Sequence, residues 1–247
     1  MKASPSDSPE PLQNQLLAAL PEAEWERWSR HLEPVDLPLG QVLCESGSTH
    51  DYAYFPTTAI VSLVYLTQDG ASAEVAVVGN DGVVGISLFM GGNATLNQAM
   101  VQSAGRGYRM RAQVVKEEAL RPGPAFDVLL RYALAMLMQV AQTAACNRHH
   151  SVDQLLCRRL LMGLDRSSTD DMVMTQELAA SLLGVRREGV TAAARRLQLA
   201  GVIHYRRGRI AVLDRGRLER CASDQSPAPA RWPDERSVRW HTVTSAA

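Results

Sequence analysis

The most informative stretch of this sequence is residues 175–199, which read TQELAASLLGVRREGVTAAARRLQL. Thr175 suits a helix N-cap, and Glu177 in the first turn favours the positive end of the helix dipole. Ala180 stands four residues before Gly184, an order in which the small residue permits close helix packing and the glycine permits a sharp turn. The pattern predicts a short helix, a tight turn and a second helix.

The second helix is predicted from Arg187 to Leu199, and its outer face carries groups that can recognise DNA bases. Arginine can donate two parallel hydrogen bonds to guanine, a carboxylate can accept one from cytosine, and threonine offers a hydroxyl and a methyl group. The N-terminal end of the second helix enters the major groove in helix-turn-helix motifs. We therefore expect DNA contacts from this helix and the residues before it: Thr175, Gln176, Arg186, Arg187, Glu188, Thr191 and Arg195.

Residues 202–213, VIHYRRGRIAVL, follow directly and predict two β-strands around a turn at Gly208. This hairpin would form a wing that places Arg206, Arg207 and Arg209 where DNA phosphates lie. The alternative is a solvated basic helix followed by an ordinary hairpin. The cap, the Ala/Gly spacing, the helical periodicity and the wing nevertheless occur in the order that a winged helix-turn-helix requires.

The N-terminal half predicts short helices followed by a small antiparallel β-barrel. Two amphipathic helices are indicated within residues 12–31. Short β-rich runs follow at Ala59–Leu66, Glu74–Val78 and Gln98–Gln102, separated by Gly, Asp and Asn turn signals. Many short strands between such turns favour a barrel or sandwich over a parallel α/β sheet.

The longest helical pattern runs from about Ala125 to Arg148 and is apolar on two sides. We expect the barrel of the same chain to cover one side and an identical helix of a second subunit to cover the other. The alternative is a helix buried wholly within one subunit. The stripe expected at the subunit contact is Phe126, Leu130, Ala133, Leu137, Val140 and Ala144, and the other stripe is Leu134, Met138, Ala141 and Ala145. A capping box at residues 151–154, SVDQ, predicts that a new helix begins there.

Composition indicates a cytoplasmic protein with a basic C-terminal third. No apolar run reaches the ~18 residues of a membrane span, and residues 1–11 lack the order of a secretory signal. The net charge is zero, but residues 151–221 hold 13 arginines against 8 acidic residues, whereas residues 1–150 hold 10 basic and 15 acidic residues. Such a third suits a polyanionic partner. The four cysteines are scattered without metal-ligand spacing, so we expect individually packed thiols, with a redox sensor or cluster ligand as the open alternative.

The chain as a whole resembles the Crp/Fnr family of bacterial regulators over residues 12–220. The most specific matches are TQELA at 175–179, LGVRREGVT at 183–191 and NRHHSV at 147–152. The resemblance implies a β-roll of the cyclic-nucleotide-binding type, a dimer that reads a palindrome, and Arg187 and Glu188 as the base-reading pair.

Two departures from the family pattern concern the signal. Cyclic-nucleotide-binding members carry a Gly-Glu pair and an Arg-Ser-Ala sequence whose arginine holds the cyclic phosphate. The matching region here has Gly85-Ile86 and Asn97-Gln98-Ala99, with no cationic side chain from Asn80 through Val101. Because a buried phosphate would lack a counter-charge, we expect no cAMP binding. The clustered N-terminal cysteines of the iron–sulfur members are also absent, so no cofactor is expected, and the effector is left open as a small molecule, a partner protein or none.

The predicted protein is an α+β homodimer that binds a palindromic operator in double-stranded DNA. RNA polymerase is a further expected partner, and no membrane association is expected. It is expected to regulate transcription and not to be an enzyme. One alternative is a cupin-like β-barrel enzyme with an attached helix-turn-helix, for which the barrel offers only His31 and His50 as imidazole ligands. Another is an interaction module that has lost DNA binding. The predicted segments are a disordered N-terminus (1–11), a β-roll sensor-type domain with N-terminal helices (12–121), a dimerisation helix (122–150), the winged helix-turn-helix domain (151–221) and a disordered tail (222–247).

Overall fold

A β-roll, a long helix and a winged helix-turn-helix follow one another along the chain, as the sequence predicts. The computed structural model describes residues 10–68, 70–92, 94–166 and 171–222, with the side chain of Asp171 not described. The predicted disorder at 1–9 and 223–247 lies outside the described residues. Pro11 belongs to a 3₁₀ turn, Pro11–Gln13, and Ala222 ends the last helix, so the predicted disorder was wrong at these two residues.

The β-roll consists of two antiparallel sheets whose inner faces enclose the larger hydrophobic core. One sheet has the order β1-β7-β3 and the other β2-β6-β4-β5. The three strands that the sequence predicts correspond to β4, β5 and β6. The strands are β1 Glu33–Leu37, β2 Val42–Cys44, β3 Tyr52–Pro56, β4 Ile60–Leu66, β5 Ser72–Val78, β6 Asn97–Ser103 and β7 Gly105–Arg111.

Two short helices precede the roll, confirming the prediction for residues 12–31. They are α1, Gln15–Ala18, and α2, Glu22–Ser29. The buried side chain of Asn14 caps α1 by accepting a hydrogen bond from the Leu17 amide at 3.1 Å, and its own amide donates to the carbonyls of Pro56 and Gly82 at 2.8 Å each. One buried side chain therefore fixes α1 against two loops of the roll. A third helix, α3, Ala112–Ala119, was not predicted.

The long helix α4, Pro124–His149, is oriented differently from the expectation. The face packed against the β-roll is mainly a third set of residues: Val128, Leu129, Tyr132, Met136 and Gln139. Val140 also packs against the core of the roll, so its assignment to the subunit contact was wrong. Tyr132 sets this orientation because its buried hydroxyl donates to the Val83 carbonyl at 3.0 Å. Much of both predicted stripes stays uncovered, with Leu130, Leu137 and Met138 exposed by 49%, 64% and 50%. The expectation that the barrel covers one of those stripes was wrong.

The C-terminal part contains a second hydrophobic core, separate from that of the roll. The predicted capping box is present, since the Ser151 amide donates to Gln154 Oε1 at 2.9 Å and the Gln154 amide donates to Ser151 Oγ at 3.4 Å. The antiparallel sheet of this part has the order β8-β10-β9. The elements are α5 Val152–Leu164, β8 Asp171–Val173, α6 Gln176–Leu183, α7 Arg187–Leu199, β9 Ile203–Arg206, β10 Arg209–Val212 and α8 Arg215–Ala222.

A buried polar network joins α5 to the outer face of the roll. Arg159 Nε lies 2.7 Å from Glu74 Oε1, and both side chains are almost fully buried. Ser62 donates to Glu74 Oε2 at 2.5 Å, and Arg159 donates to Gln102. A β-bulge, marked by a register shift between β4 and β5, places Glu74 opposite Val64 and so turns its carboxylate towards α5. The network holds the C-terminal part in one position on the roll.

Candidate nucleic-acid interface

The turn between α6 and α7 has the geometry that its sequence predicts. The Thr175 hydroxyl caps α6 by accepting a hydrogen bond from the Leu178 amide at 3.1 Å. At the other end Gly184 adopts φ +64°, a left-handed conformation that glycine tolerates best. The Val185 amide then donates to the Ala180 carbonyl at 3.1 Å, which closes the turn. The helix-turn-helix prediction is confirmed.

Helix α7 separates an apolar face from a polar one. Its buried residues are Val190, Ala193, Ala194 and Leu197. The opposite face is exposed and carries Arg187, Glu188, Thr191 and Arg195, with Arg186 exposed at the N-cap. The predicted base-reading side chains therefore lie together on one exposed surface at the N-terminal part of this helix.

Two contacts link that surface to the start of α6. The Thr191 hydroxyl lies 2.7 Å from Gln176 Oε1 and donates to it, and it is 3.0 Å from the Arg187 carbonyl oxygen. Arg187 Nη1 lies 3.5 Å from Glu177 Oε2, and both side chains are largely exposed. Glu177 was missed as a site residue because an acidic residue in a first turn is sufficiently explained by the helix dipole. Its carboxylate lies within ion-pair distance of Arg187, but the pair is too exposed to fix the position of the arginine.

The wing lies beside the N-cap of α6. Arg207 and Gly208 form its turn with φ values of +50° and +76°, as a two-residue type I′ hairpin requires. The Met174 amide donates to the Gly208 carbonyl at 2.8 Å, and a Cβ at Gly208 would lie 3.2 Å from Thr175 Cγ2. The sheet has a third strand, β8, which the sequence did not predict. The structure thus brings the wing tip and the helix-turn-helix to one side of the molecule.

Some arginines of the C-terminal part are held in ion pairs, whereas others are exposed and unpaired among the described side chains. Arg196 binds Asp153 through two hydrogen bonds, of 2.7 and 2.5 Å, and these raise the pKa of its guanidinium. Arg215 binds Asp165 at 2.6 Å, so both arginines join α5 to neighbouring helices. A second group is exposed and makes no ion pair with the side chains that the structure describes: Arg186, Arg195, Arg206, Arg207 and Arg209. Their charges are free to meet phosphates.

The imidazole and thiol groups of the described residues are candidate metal ligands in the sequence. Within the described ranges, no group of three His, Cys, Asp or Glu side chains is arranged to hold a metal ion. His50 is buried, which lowers the pKa of its imidazole, whereas His31 is exposed. The cysteines are free thiols, of which Cys44, Cys146 and Cys157 are buried. Desolvation raises the pKa of the Cys157 thiol, a condition that makes a cysteine unreactive.

Comparisons of the sequence and the fold with known proteins find similar proteins. Residues 154–221 match the model of the Crp-like helix-turn-helix domain. A search of curated protein sequences gives no match. FixK2 from Bradyrhizobium japonicum is 16% identical over 79% of this chain and 99% of its own, with a TM-score of 0.67. A CRP/FNR-family transcriptional regulator from Thermus thermophilus is 20% identical over 77% and 98%, with a TM-score of 0.61.

A third solved structure is similar to this chain. The c-di-GMP-responsive global regulator CLP of Xanthomonas campestris is 16% identical over 78% of this chain and all (100%) of its own, with a TM-score of 0.61. TM-scores of 0.61–0.67 show a shared fold even though the identities are low. Residues 154–221 match the Crp-like helix-turn-helix domain, and the part of the chain that the solved structures cover has the fold of the Crp/Fnr transcription regulators.

Proposed function

We propose that the protein is a homodimeric, cytoplasmic transcription regulator that binds a palindromic DNA site and is not an enzyme. In this proposal residues 12–121 are a sensor-type domain, residues 122–150 form the dimerisation helix and residues 151–221 bind DNA. RNA polymerase is a further proposed partner.

The observation that carries the proposal is the exposed face of α7 beside the wing. Arginine, carboxylate and hydroxyl groups suited to base edges stand at the N-terminal end of the helix. Exposed arginines without an ion pair among the described side chains flank them on the wing, where phosphate contacts would fix the position of the helix. The alternative, a basic helix that only faces solvent, does not explain why an arginine-rich hairpin packs beside the start of α6.

The uncovered face of α4 supports the dimer. Leu137 is 64% exposed, and exposed leucines and methionine continue along the same side of the helix. By length and composition α4 could also cross a membrane. Its opposite face, however, packs on the β-roll through Tyr132 and buries Gln139, which is the arrangement of a core helix in a globular protein. A second copy of α4 is the cover that a two-fold dimer supplies.

Regulation without a cyclic nucleotide is also part of the proposal. The strand-and-turn segment from Asn80 through Val101 contains no cationic side chain of its own, and Arg166, which approaches it, is paired with Asp81 at 2.6 Å. A cyclic phosphate buried there would therefore find no unpaired counter-charge. The buried ring of Tyr132 lies directly over Gly82 in the same segment, where an added Cβ would stand 2.3 Å from the ring.

The test compares two arginines whose proposed roles differ. Binding sites are first selected from random DNA, and affinities are then measured by gel shift at several salt concentrations. Arg187→Ala should weaken the preferred site by about 1–3 kcal/mol and relax the preference at one base pair per half-site. Arg207→Ala should weaken all sequences nearly equally and reduce the slope of log K against log salt by about one unit. Arg30→Ala, an exposed arginine beside the roll, serves as the control and should change neither property.

Two results would contradict the proposal. Equal and uniform losses for Arg187→Ala and Arg207→Ala would mean that α7 does not read bases. Absence of any selected DNA sequence, with the chain folded and dimeric, would favour an interaction module that has lost DNA binding.

A further inference from the structure

A small cavity lies where the roll, the long helix and the helix-turn-helix meet. It has a volume of about 30 Å³, and β5, α4, α5 and α6 all line it. A single water molecule needs roughly 10–15 Å³ of such space. Asn147 at its edge is exposed, so the cavity can exchange its contents with solvent. Any occupant would touch the roll and the helix-turn-helix at once.

Two adjacent arginines of α5 are among the residues that line this cavity, and each has a buried guanidinium donor without a partner among the described residues. Arg158 is 9% exposed and Arg159 is 3% exposed. Arg158 Nη2 and Arg159 Nη1 are buried and have no hydrogen-bond partner among the described residues. Buried polar groups in folded proteins are nearly always hydrogen-bonded, so these donors point to an occupant.

The charges around the cavity do not balance. Glu74 is the carboxylate that contacts Arg159, and Asp81 is taken by Arg166 at 2.6 Å. Arg158 has no carboxylate partner among the described side chains. Burial lowers the pKa of its guanidinium, and the positive charge of Arg166 acts in the same direction. An arginine nevertheless stays protonated in proteins, so the site keeps an excess of one positive charge.

We propose that the cavity between Arg158 and Arg159 binds a small inorganic monovalent anion of about the size of chloride. The anion would accept hydrogen bonds from the two free guanidinium donors and complete the charge balance. Val75, Leu155 and Leu182 provide apolar walls, and the single excess positive charge favours a monovalent anion over sulfate. By contacting β5, α5 and α6 together, the anion would stabilise the docked position of the helix-turn-helix on the roll.

The competing interpretation is that water alone satisfies the guanidinium donors of Arg158 and Arg159. In that case the cavity would hold only water, and chloride would have no effect. The anion site does not depend on the proposed function in DNA binding, so its test requires no DNA.

The test titrates chloride into chloride-free full-length protein at constant ionic strength, with gluconate as the bulky replacement. Chloride-35 NMR line broadening reports binding, and thermal unfolding reports its effect on the folded state. For a dissociation constant on the order of 10 mM, ~150 mM chloride raises the folding equilibrium constant about 16-fold. Bromide should replace chloride, and sulfate should not.

Two variants at the site and one control complete the test. Arg158→Gln removes the excess charge, and Asn147→Asp, an isosteric change at the edge of the cavity, supplies a covalently attached carboxylate. Both should lose the chloride response, whereas Arg30→Gln should keep it. The Asn147→Asp variant decides the matter if Arg158→Gln does not fold. The proposal is overturned if the wild type unfolds identically in chloride and gluconate, or if the site variants respond as the wild type does.

Discussion

Removing the carboxylate of Glu74 should release the C-terminal part of the chain from the roll. The substitution Glu74→Gln preserves the size of the side chain but leaves the 3%-exposed guanidinium of Arg159 without the charge that lies 2.7 Å from it. Breaking a buried ion pair by removing one partner typically costs about 3–5 kcal/mol. At 1.4 kcal/mol for each factor of ten, this is about two to four orders of magnitude in the docking equilibrium.

Urea unfolding measures this cost. With a slope of about 1–3 kcal/mol per molar urea, a loss of 3 kcal/mol lowers the midpoint by at least about 1 M. The matched control is Glu33→Gln on β1, whose carboxylate lies 3.0 Å from Arg109 in a partly exposed pair. Such a pair contributes about 0–1 kcal/mol, so the control should unfold close to the wild type.

The double variant Glu74→Leu with Arg159→Met separates the ion pair from the packing around it. Replacing both buried charges by apolar groups of similar volume is often neutral or stabilising. We therefore expect the double variant to recover most of the stability that Glu74→Gln loses. If Glu74→Gln costs no more than Glu33→Gln, or if the double variant is as unstable as the single one, the buried pair does not hold the docked position.

Four further predictions concern the dimer, the ligand and the DNA. Glutamates at Leu130 and Leu137 should yield monomers in sedimentation, whereas Leu39→Glu, an equally exposed leucine in the roll, should leave the dimer intact; a dimeric double variant would show that the assigned face is wrong. Calorimetric titration with cAMP or cGMP should give no heat, and saturable micromolar binding would refute the argument from charge. Gly189→Ala should stabilise α7 by up to about 1 kcal/mol, because an added Cβ meets only Val152 at ordinary distance, 3.7 Å, yet weaken DNA binding if DNA backbone approaches this glycine. Insertion of half a helical turn between two half-sites about 34 Å apart should abolish tight binding, and a harmless insertion would exclude the symmetric arrangement.

The helix-turn-helix was predictable because its signals are local. The Thr175 hydroxyl accepts a hydrogen bond from the amide of Leu178, three residues farther along the chain. The turn at Gly184 depends only on the left-handed backbone conformation of that glycine. The capping box at Ser151 and the hairpin turn at Gly208 have the same property. Where contacts between residues a few positions apart fix a local structure, the residue types are sufficient to predict that structure.

The orientation of α4 was not predictable from periodicity. A helix apolar on more than one side can be rotated without changing its pattern, and the choice depends on contacts distant in sequence. Here the hydroxyl of Tyr132 finds the carbonyl of Val83, 49 residues away, and Gln139 donates to the carbonyl of Val77 at 3.4 Å. Two polar groups on an otherwise apolar helix identify the face towards the roll, because each requires a buried partner.

The same reasoning applies to α5, where the sequence holds an unused signal. Arg158 and Arg159 stand between Cys157 and Leu160, and all four residues are buried. Two consecutive side chains point in directions about 100° apart on a helix, so a pair of arginines among apolar neighbours cannot both reach solvent on one polar face. One of them must meet a carboxylate from elsewhere, as Arg159 meets Glu74, and the other must meet a second source of negative charge.

Helix α6 contacts the roll directly and is followed by α7, so it connects the two. Ser72 and Ser181 are joined by a hydrogen bond of 2.7 Å, and an added Cβ at Gly184 would stand 3.5 Å from Ala73 Cβ. Gly184 is the turn between α6 and α7, so a displacement of the start of β5 would act close to the point that sets the direction of α7. The buried pair of Glu74 and Arg159, two residues farther along β5, opposes that displacement.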